Sequence, residues 1–171
     1  ISLITYCRES GVASLASGKS RATNLLKSED VISALNCLKK LGIKIEFNKK
    51  FCEVTGKGLN GYSYKRQLTL DAGNSGTTAR LLMAALVKSK YPLKITGDAS
   101  LKKRDMSKLI KLMNEFGAEF FPKNKKNLPL KMVSSEMPIG INYISGVSSQ
   151  VKSAVALAGL NSFGNTKIIE K

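Results

Sequence analysis

The sequence predicts an α/β chain assembled from a repeated unit, each copy running from a buried helix through a strand and an amphipathic helix into further strands. Three observations predict it. Two segments carry apolar residues at helical spacing, and each is stopped by a glycine, Gly42 and Gly117, 75 residues apart. Three other segments are rich in alanine, leucine and serine with at most one charge inside each, the composition of a helix buried on most sides. These three close on two small residues and a leucine, Ala13-Ser14-Leu15, Ala84-Ala85-Leu86 and Ala158-Gly159-Leu160, at separations of 71 and 74 residues.

Each element follows from its own pattern. Glu9 to Ala16 is the first buried helix, and Arg21 to Leu26 reads as the strand after it. Ser28 is an N-cap with Glu29 and Asp30 in the first turn, followed by the stripe Val31, Ile32, Leu35, Leu38 and Leu41. Ile43 to Phe47 alternates as a strand does, and so does Gln67-Leu68-Thr69-Leu70. Thr77 to Val87 is the second buried helix, with Leu93 to Thr96 as its strand. Met106, Leu109, Ile110, Leu112, Met113 and Phe116 mark the second amphipathic helix, and Ala118 to Phe121 the strand behind it. Ser149 to Leu160 and Lys167 to Ile169 begin a third copy. The units fall at about residues 9–75, 76–147 and 148–171, the third incomplete, so the chain reads as part of a longer protein; its start at Ile1 reads as a trimmed product.

Bulk properties narrow the function. At 171 residues the chain holds one domain with a real core, not two. No apolar run approaches the roughly 20 residues of a membrane span. Cys7, Cys37 and Cys52 are odd in number, lack CxxC spacing and have no histidine in the chain to complete a metal site, so they read as reduced thiols of a cytoplasmic protein with no metal. The net charge of +16, from 28 basic and 12 acidic residues, suits an anionic partner. The lysines are scattered, only Lys123-Asn124-Lys125-Lys126 forming a small cluster, and aromatics make up 6% of the chain with no tryptophan. Base-stacking platforms are therefore missing, which argues against nucleic acid and for a small anionic metabolite.

The stretch Asn74-Ser75-Gly76-Thr77-Thr78-Ala79-Arg80 is where that metabolite would bind. A loop entering a helix presents unpaired N–H groups and the positive end of the helix dipole. Gly76 lets an anion approach the backbone, Asn74 or Ser75 can cap, and Arg80 adds a fork of donors one turn in. The loop is neither a Walker loop nor a dinucleotide GxGxxG. Ser148-Ser149-Gln150 repeats the device with uncharged donors at the start of the third buried helix. Ser100 to Met106 forms a basic knot opening the second amphipathic helix, and the repeat can bring all three helix starts to one anionic site.

The segments LDAGNSGTTARLL, SLKKRDM and SSQVKSAVALAGL, with SGKSRATNLLKSEDVISALNCLKKLGI before them, resemble the N-terminal half of the 5-enolpyruvylshikimate 3-phosphate synthase family (3-phosphoshikimate 1-carboxyvinyltransferases). The resemblance implies a transferase of the shikimate pathway that moves the enolpyruvyl group of phosphoenolpyruvate onto the 5-hydroxyl of shikimate 3-phosphate, with no metal or organic cofactor. It implies two domains, each of three βαβαββ units with buried helices in an inside-out α/β barrel, and substrates between them. This chain would be an incomplete first domain, its partners being the two substrates and the missing C-terminal domain. Carried over by position, Ser148, Ser149 and Gln150 hold the phosphate of shikimate 3-phosphate, the glutamine also reaching phosphoenolpyruvate. Asn74, Gly76 and Arg80 face phosphoenolpyruvate, Gly76 where glyphosate competes; Arg104 is a further phosphoenolpyruvate contact, and Arg8 binds the shikimate carboxylate.

Departures from the family pattern bear on activity. Leu3 and Ile4 stand where the family's N-terminal lysine and serine belong, and Asp105 replaces the proline after Arg104. The acid and base for proton transfer are expected in the missing domain, so the isolated chain is expected to be inactive. The alternative is a non-catalytic module, derived from that family, that binds phosphorylated metabolites.

Overall fold

The computed structural model describes residues 11–24, 28–146 and 148–170. Alternation of apolar and polar residues sets its central sheet. In β4 (Thr69–Asp71), β5 (Leu93–Thr96), β6 (Glu119–Phe121) and β7 (Leu130–Val133), Leu70, Leu93, Ile95, Phe120, Leu130 and Met132 all turn inward and are buried. The strand order is β4-β5-β7-β6, with β4 and β5 parallel and the other pairs antiparallel. Facing outward across one row are Thr69, Lys94, Lys131 and Phe121, which the register sets side by side.

A three-stranded antiparallel sheet precedes it, in the order β1 (Ser17–Thr23), β3 (Phe51–Lys57), β2 (Lys44–Phe47). After it come β8 (Asn142–Ser145) and β9 (Lys167–Glu170), a parallel pair. The helices are α1 (Glu29–Lys40), α2 (Gly76–Ala85), α3 (Ser107–Glu115) and α4 (Ser149–Gly159); residues 11–15 are also helical. The run β4-α2-β5-α3-β6-β7 has its counterpart in β1-α1-β2-β3 before it and in β8-α4-β9 after it.

The helix ends follow the local chemistry. The Ser28 hydroxyl accepts from the Val31 N–H at 3.3 Å, and the Ser75 hydroxyl accepts from the Thr78 N–H at 3.1 Å. Gly42 and Gly117 take positive φ, 83° and 99°, directly behind α1 and α3, the left-handed step that ends a helix.

Two elements differ from the sequence reading. The first strand runs Ser17–Thr23, earlier than Arg21 to Leu26, because Ser17 and Gly18 pair with Lys57 and Gly56 of β3. Those positions are exposed and polar, so they left no apolar alternation to read; residues 25–27 lie outside the described residues. The helix expected to be buried on most sides at Ser149 to Leu160 buries one face, Val151, Ala154, Val155, Leu157 and Ala158, while Ala156 and Leu160 are exposed. Alanine-rich composition reports small size rather than burial. Among the described helices α2 is the one sealed nearly all round, because it touches α1, α3 and α4 together.

Two predictions follow from this core. Ile95→Ala, at a side chain with 0% exposure, should cost about 2–5 kcal/mol in urea denaturation, whereas Glu119→Gln, which removes an exposed ion pair with Lys123 at 3.0 Å, should cost less than about 1 kcal/mol. Burial above all pushes the Cys37 thiol from 9.0 up to about 12, while its Sγ–H donates to the Asp71 carbonyl at 3.2 Å. Its folded-state value lies above its unfolded one, so the stability it contributes is full below pH 9.0 and is lost as pH rises toward 12. Iodoacetamide near the free thiol's own pKa of about 8.5 should label the Cys37 peptide in urea and spare it in the folded chain, as read by mass spectrometry.

Candidate functional site

The loop after β4 turns sharply to deliver Asn74, Ser75 and Gly76 to the start of α2. Asp71 begins the turn by accepting from the Gly73 N–H at 2.9 Å, and Ser75 N–H donates to the Ala72 carbonyl at 2.9 Å. With Ser75 occupied as the cap and buried, Asn74 is left to face outward. Gly76 opens the helix in a gap with no room for a side chain: a methyl built on it would stand 2.8 Å from Nη1 of Arg80 and 3.0 Å from Nη1 of Arg104.

Both arginines thus reach one point from different elements. Arg80, half-buried one turn into α2, donates from Nη1 to Oε1 of Gln150 at 2.9 Å. Arg104 follows the turn Leu101–Lys103 in extended backbone and donates from Nη2 to Oδ1 of Asn74 at 2.7 Å. The basic knot therefore lies before α3, not on it; Asp105 accepts from the Ser107 N–H at 2.6 Å where the helix begins.

Gln150 is fixed from two sides, its Nε2 also donating to Thr77 Oγ1 at 3.0 Å. That contact sets the second residue of α4 against the first turn of α2. At the other end Asn161 Nδ2 donates to the Ala85 carbonyl at 3.3 Å, so the two helices run parallel with their starts together. Their positive dipole ends face the same space as the two guanidiniums.

Among the described residues neither arginine pairs with a carboxylate; their partners here are the neutral amides Gln150 and Asn74. Burial first, and the facing charge of Arg104 second, hold the Arg80 guanidinium below its usual pKa. The guanidinium remains a cation, being the side chain least easily deprotonated in a protein. Two like charges whose Nη1 atoms both lie within 3.0 Å of one point repel, less where solvent reaches the exposed Arg104. An anion between them converts that repulsion into two charge-assisted contacts.

A cavity of about 470 Å³ adjoins this point, lined by Asn74, Gly76, Thr77, Arg104 and Gln150 together with Glu29 and Asp30 of α1. Asn74, Gly76, Arg80, Arg104 and Gln150 are thereby brought together. Ser148 and Ser149 stand at the start of the same α4, the Ser148 hydroxyl accepting from the Val151 N–H at 3.4 Å as the cap. Arg8, Leu3 and Ile4 lie outside the described residues. The sequence reading missed Thr77, Glu29 and Asp30. The two acids looked fully explained as first-turn residues of α1; their position in the repeat, matching the Arg104 region before α3, was the signal that could have placed them.

A sequence profile of the family described as EPSP synthase (3-phosphoshikimate 1-carboxyvinyltransferase) matches residues 10–171. The chain belongs to the EPSP synthase family. Among EPSP synthase relatives, the 3-phosphoshikimate 1-carboxyvinyltransferase of Alkaliphilus metalliredigens is 40% identical over 161 residues, 94% of this chain and 38% of the relative. That of Ruthia magnifica is 41% identical over 161 residues, 93% of this chain and 36% of the relative. A solved EPSP synthase from Acinetobacter baumannii superposes with a TM-score of 0.90 at 31% identity, over 99% of this chain and 38% of that one. The chain thus spans well under half the length of the EPSP synthases it matches.

Gly76→Ala should force both guanidiniums aside and weaken binding of inorganic phosphate at the loop several-fold, read from the amide shifts of Asn74 and Gln150. Since the atoms displaced are ends of flexible side chains, the melting temperature should hardly move.

Proposed function

We propose that the chain is part of the first domain of a 3-phosphoshikimate 1-carboxyvinyltransferase and supplies half of the pocket for shikimate 3-phosphate and phosphoenolpyruvate. On this reading the domain completes an inside-out α/β barrel of three units, about 9–75, 76–147 and 148–171 with the rest of the third, and works in the cytoplasm with a second domain closing the cleft. The observation that carries it is the meeting of Arg80 and Arg104 over Gly76 with neither paired to a carboxylate among the described residues.

The geometry supports a division of labour. The carboxylate and phosphate of phosphoenolpyruvate face Arg80, Arg104 and the start of α2. Gln150 lies between the helix starts and on this reading bridges toward shikimate 3-phosphate; the family resemblance assigns the phosphate to Ser148 and Ser149 and the carboxylate to Arg8, which lies outside the described residues. In the reaction the 5-hydroxyl oxygen forms a bond to C2 of phosphoenolpyruvate, whose methylene carbon takes up a proton. The hydroxyl proton leaves, phosphate departs with the electrons of the broken C2–O bond, and loss of a methyl proton restores the enol double bond. Two fixed guanidiniums hold the leaving phosphate where its charge grows.

Glu29 and Asp30 set an orientation. Their charge opposes any phosphate or carboxylate on the α1 side, so a ligand with its anionic groups at Arg104 and its neutral, hydroxyl-bearing part toward α1 is preferred. The groups that exchange protons with the substrates are assigned to the second domain, which leaves the chain alone without turnover.

Titration with shikimate 3-phosphate should move the amides of Ser148, Ser149 and Gln150 saturably, and adding the separately produced remainder of the enzyme should restore phosphate release. Binding without restored turnover would instead identify a non-catalytic module. In the reconstituted enzyme Arg104→Ala should weaken phosphoenolpyruvate by about 1.5–3 kcal/mol, the worth of hydrogen bonds to a charged group. Unchanged KM and kcat in that variant would remove Arg104 from the site.

A further inference from the structure

The outer face of the central sheet carries a charge arrangement that the proposed site does not use. Lys94 of β5 and Lys131 of β7 are direct cross-strand partners, both exposed on the same face. Such partners hold their Cβ atoms about 4.5–5.5 Å apart, and like charges there destabilise the pair. The sheet before it handles the same problem differently. Glu46 and Glu53 are likewise direct partners, but Arg21 stands opposite Glu53 and Lys19 bonds it at 3.0 Å. Among the described residues no carboxylate pairs with Lys94 or Lys131.

The two lysines border an open cavity of about 540 Å³, walled by Tyr91, Pro92 and the backbone turn at Arg66 and Gln67. Arg66 adds a third cation, its guanidinium 5.3 Å above the Tyr91 ring. Tyr91 is held in place, its carbonyl accepting from the Tyr64 hydroxyl at 2.7 Å and its ring packing perpendicular to that of Tyr64 with centroids 6.2 Å apart. Gln67 takes φ of 65°, a left-handed conformation that costs a non-glycine residue energy and is common where a ligand is held. The wall is mostly apolar surface, and its charged groups are all positive.

We propose that this cavity is a second ligand site, for a small oxyanion carried on a flat apolar body. The oxyanion lies between Lys94 and Lys131 and relieves their repulsion, Arg66 supplies a further donor, and the flat body covers Tyr91 and Pro92. The site is separate from the Arg80–Arg104 point: β4 and β5 are parallel, and the cavity sits at their starts, whereas the Gly76 loop leaves from the end of β4. It does not depend on which reaction the proposed site performs.

Phenyl phosphate and benzoate distinguish a phosphate-bearing from a carboxylate-bearing ligand, with phenol as the uncharged control. In the full chain at least one of the two anions should move the amides of Gln67, Lys94 and Lys131 saturably, and phenol should not. Lys94→Gln with Lys131→Gln should weaken that binding by about tenfold or more while leaving the phosphate response at Gly76 intact. The same double variant should melt at or above the temperature of the parent, because a repulsion has been removed; Arg66→Gln serves as a second test should the double variant fold poorly. No saturable shift with either anion up to about 10 mM, equal binding of phenol, shifts confined to the Gly76 loop, or a lower melting temperature for the double variant would each overturn the proposal.

Discussion

Two like charges held at one point govern the architecture of the candidate site. Arg80 and Arg104 meet over Gly76 although they repel, and the groups that orient them, the side-chain oxygens of Gln150 and Asn74, are neutral. A carboxylate in either place would orient an arginine equally well and cancel its field. An amide oxygen fixes direction and leaves the charge available, which is the requirement of a pocket for an anion. Thr77 completes the arrangement by holding the other end of the Gln150 amide, so the position of Arg80 is set by two helices at once.

That constraint reaches through the packing. Gln150 can meet Thr77 and Arg80 only because α2 and α4 run parallel with their starts level, which the contact between Asn161 and Ala85 fixes at their other ends. Parallel neighbours place two positive helix ends side by side, an unfavourable arrangement offset by burial. The α2 residues Ala79, Leu81, Leu82, Met83, Ala84 and Ala85 are each at most 6% exposed, and small side chains let α4 approach closely. The repeat thus supplies the site with its geometry: α2 and α4, its counterpart helices in successive units, begin at the same end of the assembly.

Much of this was legible in the sequence, for identifiable reasons. Helices α1 and α3 announced themselves through stripes of leucine, isoleucine and other apolar side chains ended by Gly42 and Gly117, because packing at a 3.6-residue period and a left-handed stop both leave local marks. The Gly76 loop was readable because capping, close approach and an anion-facing arginine demand particular residue types within one turn. Strand β1 was misplaced because its ends pair through backbone alone, and Glu29 and Asp30 were missed because a first-turn acid is already satisfied by the helix dipole. Nothing in the local sequence distinguishes an acid that only supports its helix from one that also walls a cavity formed by residues as distant in the chain as Asn74 and Gln150.

The two anion-facing places also differ in how they are built. At the Gly76 loop the cations are held by side-chain amides and Arg80 is partly buried, so the field is set before any ligand arrives. At the sheet face Lys94 and Lys131 are exposed and held only by register, and each retains the freedom of a long flexible side chain. The first arrangement suits a reaction, which gains from charges already in position when a transition state forms. The second suits binding and release, since ordering two lysines around an anion costs entropy at every encounter. Strands β4 and β5 join them over three aligned residue pairs, about 10 Å of sheet at 3.3 Å per residue. Asp71, the last residue of β4, ends that stretch and shapes the turn into the Gly76 loop through its carboxylate.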